Sequence, residues 1–196
     1  PFVLQLLILL AQQRQLPLRS LLEGIPPDEL EQTLLTQIYQ GLEARELLDR
    51  LSVLRLPFLQ QAFPVFGGKE DLISGPPLSL LIETQKKGRH TLHPLVQHLA
   101  SQRLDQQPLL RRQAHEQAID YYQELLSPGG RDQAAACMEM AYHLLELQRV
   151  GEALEGLRQQ VRAVVSFGYG RGLLALTRRI EAAGLAPDGW VVVDPR

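Results

Sequence analysis

The sequence holds a single cysteine, Cys137, among 196 residues, which excludes an internal disulfide framework and any metal centre built on several thiolates. It also suits a reducing, cytoplasmic compartment. Aromatic residues amount to 6%, too few for stacked sheets built on aromatic and β-branched side chains. Neither sign of charge dominates. With 20 Lys and Arg against 22 Asp and Glu, the formal net charge is −2, so the chain as a whole lacks the basic footprint of a nucleic-acid binder. The longest apolar run, Phe2 to Ala11, is interrupted by Gln5 and reaches about half of the roughly 20 residues a membrane span needs. No basic residue precedes it, so it does not read as a signal peptide.

The residue patterns of self-contained catalysis are missing as well. No G-x-x-x-x-G-K-[ST] phosphate loop occurs, and Gly67-Gly68-Lys69 is followed by Glu70 and Asp71, whose charges repel a phosphate. Gly168-Tyr169-Gly170-Arg171-Gly172 has Leu173 where a dinucleotide loop needs its third glycine, and reads as a turn between helices. The five histidines form no ligand cluster. His93 and His98 lack a carboxylate at helical spacing; His115 with Glu116 and Asp120 reads as a solvated face, and His143 as a half-buried packing residue. Cys137 has no adjacent base to activate it. The chain as given therefore reads as a non-enzyme.

What the sequence does have is leucine, at 40 positions, mostly at helical spacing. The periodicity predicts helices at 2–13, through Leu21 and Leu22, from Asp28 to Leu42, at 43–55, and from Pro57 through Phe58, Leu59, Ala62 and Phe63. It changes once, where Leu80, Ile82 and Thr84 alternate with Leu81 and Glu83. With the turn Gln85-Lys86-Lys87-Gly88 and the run Arg89 to Leu92, this predicts a β-hairpin. Pro94 opens another helix to Leu104, and four more follow at 108–126, 131–147, 151–164 and 173–183. Paired helices of this length suggest an antiparallel helical-repeat array resembling tetratricopeptide units. Lys86, Lys87, Arg89 and His90 gather on the hairpin, where a wing could meet a phosphate backbone.

Several stretches together resemble the STAND class of signal-transduction ATPases, of the NB-ARC type. Glu46-Leu47-Leu48-Asp49-Arg50-Leu51, Pro57-Phe58, Ala62-Phe63 and Leu80-Leu81-Ile82-Glu83 look like the winged-helix part of that class. His90-Thr91-Leu92-His93-Pro94-Leu95-Val96 resembles its strand-to-helix histidine motif, with Leu92 and Pro94 in place of the usual Met and Asp. Pro1-Phe2-Val3-Leu4 is similar to the segment that opens the small helical domain. The resemblance implies that His93 contacts the β-phosphate of bound ADP as a nucleotide-state sensor and that Pro1 lies against the adenine. It also implies that the ATPase core lies before Pro1, so that this chain is a segment cut from a longer protein and meets ADP or ATP only together with that core.

The expected architecture is mainly α: a helical lid (1–42), a winged-helix domain with a small β-hairpin (43–106) and the start of an antiparallel helical-repeat array (107–196). The expected function is regulatory, relaying nucleotide state to a sensor array. The expected partners are the ATPase core, a protein or ligand trigger on the array, and further copies of the chain on assembly. No membrane and no metal is expected. Two alternatives stand beside this reading. One is a winged-helix DNA-binding regulator contacting phosphates through Lys86, Lys87 and Arg89, which the charge balance disfavours. The other is a helical-repeat scaffold in which His93 only packs.

Overall fold

The computed structural model describes residues 2–14, 25–69, 77–126 and 131–182. Pro1, the helix expected through Leu21 and Leu22, the acids Glu70 and Asp71, and the tail from Trp190 lie outside the described residues. The chain is mainly helical with one small antiparallel sheet, and it divides into two compact units, 1–111 and 112–196. The expected lid and winged helix fall within the first unit. Among the described residues no helix is long and apolar enough to cross a membrane.

In the first unit α1 (Phe2–Arg14) packs on α2 (Leu30–Gln40), and α3 (Arg45–Leu51) packs on α6 (Pro94–Asp105), which also touches α2. Leucines at three- and four-residue spacing make this possible. α1 and α2 pack together with Leu6 and Leu10 of α1 and Leu34, Leu35 and Ile38 of α2 all buried, and Leu48 and Leu51 of α3 are buried as well. Leu4 and Ile8, on the other face of α1, stay exposed.

Between α3 and α6 the chain makes the sheet. β1 (Phe58–Leu59), the four-residue helices α4 (Ala62–Val65) and α5 (Leu78–Leu81), β2 (Ile82–Thr84) and β3 (Arg89–Leu92) follow in order, and the strands lie as β1–β3–β2. The register pairs Phe58 with His90 on one side of β3 and Thr84 with His90 on the other. Two sequence expectations are corrected here. Phe58 and Leu59 are a strand, not the start of a helix, because β3 offers them its second edge. Leu80 and Leu81 close a helical turn behind Pro77, so the hairpin begins only at Ile82. Its turn is made by Lys87 (φ 65°) and Gly88 (φ 68°), both left-handed.

The second unit takes in α7 (Pro108–Glu124) from Arg112 on, α8 (Arg131–Glu146), α9 (Val150–Ser166) and α10 (Gly170–Ala182). Its core joins Ile119 of α7 to Cys137, Met138, Ala141, Leu144 and Leu145 of α8, Leu154 and Leu157 of α9, and Leu176 and Ile180 of α10. Small residues let α8 approach its neighbours closely. A Cβ at Gly156 would lie 3.5 Å from the Met140 methyl, and one at Gly172 only 3.2 Å from the Met138 methyl. The glycine run at 168–172 is mostly helix, since α10 begins at Gly170 rather than at Leu173.

Candidate functional site: the histidine at the strand-to-helix junction

His93 stands between β3 and α6, where Pro94 supplies the first helical residue and needs no amide partner. Its backbone is clamped from both sides: the His93 amide donates to the Leu81 carbonyl (2.8 Å), and the His93 carbonyl accepts from the Gln97 amide (2.9 Å). The ring caps the helix, Nδ1 accepting from the Leu95 amide at 3.4 Å. In the neutral ring the proton is therefore on Nε2. That nitrogen points to Glu31 of α2, whose carboxylate oxygen lies 3.8 Å away. The ring is half-buried, with 18% of its side chain exposed.

The donor set fits one element of phosphate recognition. A ring N–H beside the first turn of a twelve-residue helix is a donor in a field that favours anions. The Glu31 carboxylate faces the same N–H, so any anion brought to that nitrogen would have to compete with it. Pro1 lies outside the described residues, so no adenine contact is described.

The basic hairpin separates into two parts. Lys86 and Lys87 are exposed at the turn. Arg89 is braced, its guanidinium donating to the Pro57 carbonyl at 3.2 Å, and so ties β3 to the segment before β1. His90 belongs to the core: it is 6% exposed, its ring centroid is 5.9 Å from Phe63 and 6.1 Å from Phe58, and Nδ1 lies 3.2 Å from the Thr84 hydroxyl. Burial lowers its pKa.

α2, α3 and α6 also share a polar cluster that the sequence reading missed. Asp49 of α3 is fully buried; Tyr39 of α2 donates its hydroxyl to one carboxylate oxygen, and Arg103 of α6 lies 3.2 Å from the other. Gln97 of α6 donates to the Ser52 carbonyl. One sequence signal was present: Asp49 sits between Leu48 and Leu51 on a helix otherwise buried on that side.

The histidines of the second unit also differ from expectation. His115 is buried rather than solvated (4% exposed), and His143 is wholly buried rather than half-buried. Their Nδ1 atoms meet at 2.8 Å. The signal was legible, because His115 shares its stripe with Ala118, Ile119 and Tyr122 at helical spacing. Cys137 is buried as well, its thiol pushed up to about 11 by that burial. Between α9 and α10 runs an apolar groove of about 480 Å³ walled by Leu154, Leu157, Val161, Leu173 and Thr177. Among the described residues no group of three or more metal-ligating side chains occurs. No family model, curated protein or solved structure matches the chain.

Proposed function

We propose that the chain is the regulatory segment of a cytoplasmic STAND-type ATPase, passing the nucleotide state of an upstream core to a helical sensor array. The observation that carries this reading is the position of His93. Its ring links the N-terminus of α6 to Glu31 of α2, at the seam between a helical lid and a winged helix. The order helix, strand, two short helices and hairpin, with β1 on the free edge of β3, supports reading 43–106 as a winged helix.

Mechanically, His93 trades partners. ADP bound by the core supplies a β-phosphate, and the His93 Nε2–H donates to it. The imidazole is held by the Leu95 amide and by Pro94, so a contact at one nitrogen fixes the orientation of the whole β3–α6 corner. When the phosphate leaves, His93 turns to Glu31, and the lid and winged helix settle into a second packing that exposes an assembly surface. The chain itself does no hydrolysis. The apolar groove between α9 and α10 suits a trigger with an apolar surface.

The exposed Lys86 and Lys87 favour a second reading, a wing that touches a nucleic-acid backbone. A gel shift at low salt that disappears in the Lys86→Ala/Lys87→Ala variant would favour it over the first. The main reading is tested by the reading frame ahead of Pro1. A phosphate loop followed by a strand ending in an acid supports it, and an upstream region without either rules it out.

A further inference from the structure

We propose that the His115–His143 pair is a pH-sensitive fastening between α7 and α8, which holds while the two rings share one proton and opens when acid charges both. The proposal is independent of the nucleotide reading, since it concerns the second unit alone.

The geometry allows one arrangement in the neutral pair. With the Nδ1 atoms 2.8 Å apart, one ring donates its Nδ1–H to the Nδ1 lone pair of the other, so the rings are opposite tautomers. A first added proton can sit on the far nitrogen of the donor ring and leave the bridge intact. A second must go onto the accepting Nδ1. Two N–H groups would then point at each other across 2.8 Å, and the rings have to separate.

Both rings are buried, and tyrosines pack against them. Tyr122 of α7 stacks on His143 with centroids 5.7 Å apart, and Tyr142 of α8 stands edge-on to His143 at 5.2 Å and to His115 at 6.3 Å. The charged groups around this cluster come from all four helices. α8 brings the buried Glu139, one turn before His143, and Glu146. α10 brings Arg179, which lies over the Tyr142 ring and pairs with Glu146 at 2.8 Å. α9 brings Glu152, held by Arg149 just before the helix, and Arg149 is in electrostatic reach of Glu116 and Asp120 of α7. The carboxylates can favour the first proton on the pair. None can relieve the second, because the obstacle there is contact between two donors.

The consequence follows from proton counting. In an unfolded chain both rings charge with midpoints near 6.5, so by about pH 5.5 each carries its extra proton. The folded pair accepts at most one. As pH falls below about 6.5 the unfolded or opened form therefore comes to bind more protons, and below about pH 5.5, where the excess nears one proton, its ratio to the closed form rises roughly tenfold per pH unit.

The test is hydrogen–deuterium exchange of the full chain at pH 7.5 and pH 5.0, corrected for intrinsic exchange rates and read on peptides from α7 and α8. Protection there should fall at least about tenfold at the lower pH, and the His115→Phe/His143→Phe variant should keep it within about twofold. Unchanged protection in the wild type, or an equal fall in the variant, overturns the proposal. Should the variant not fold, ring nitrogen NMR of the wild type decides. Opposite tautomers at pH 7.5, with full charging only as α7 and α8 lose protection, sustain it. Two rings that charge independently near pH 6.5 with the helices still protected refute it.

Discussion

The Tyr39 hydroxyl donates to the Asp49 carboxylate, so α2 and α3 share a buried hydrogen bond to an anion that Arg103 of α6 meets from a third side. Three helices of the first unit thus converge on one side chain. Burial holds the Asp49 carboxyl above the usual range, and the Tyr39 bond acts in the opposite sense.

Asp49→Ala removes the acceptor from both Tyr39 and Arg103 and should lower the stability of the first unit by about 2–3 kcal/mol, the partial exposure of Arg103 trimming the ion-pair share. Asp49→Asn keeps an acceptor for the tyrosine and should cost about 1 kcal/mol. Urea unfolding followed by circular dichroism measures both; equal losses would contradict this division of roles.

His90 supplies a pH dependence of known sign. Its folded pKa is lowered by burial among Phe58 and Phe63, so its contribution is complete at neutral pH and is lost as pH falls. The unfolded ring takes up a proton near pH 6.5 and the folded ring resists it, which removes up to about 1.4 kcal/mol per pH unit below that point. His90→Phe should flatten this part of the profile between pH 7 and 5 in the same urea measurement. A profile as steep as that of the wild type would show that the ring is not the source.

Cys137 should be chemically silent in the folded protein. With its thiol at about 11 and 1% of the residue exposed, little thiolate exists at pH 8 and a reagent has no path to it. Ellman's reagent should react at least about a hundredfold more slowly with native than with urea-unfolded protein. Comparable rates would contradict the burial.

The helices were legible in the sequence because leucines at three- and four-residue spacing are a local signal, and prolines at 94 and 108 mark their starts. The hairpin was legible too, through alternation around Gln85-Lys86-Lys87-Gly88. β1 was not. Two residues cannot display a period, and Phe58 becomes a strand only by pairing with His90, far along the chain. His93 stood out only because His90 to Val96 resembles a family's strand-to-helix histidine motif, and its neighbour Glu31 comes from another helix and left no local trace. The same holds for Asp49, whose partners Tyr39 and Arg103 lie on two other helices. His115 was misjudged for a different reason: the polar Glu116 beside it outweighed the apolar stripe to which it belongs.

The most direct test of the central claim is the mass distribution, by multi-angle light scattering in the presence of ADP, of the longer protein with the ATPase core that the proposal calls for, wild type against His93→Ala. If His93 holds the resting packing through the nucleotide phosphate, the wild type stays at its small resting mass and the alanine variant moves to a larger assembly. Identical distributions for the two proteins would contradict the claim.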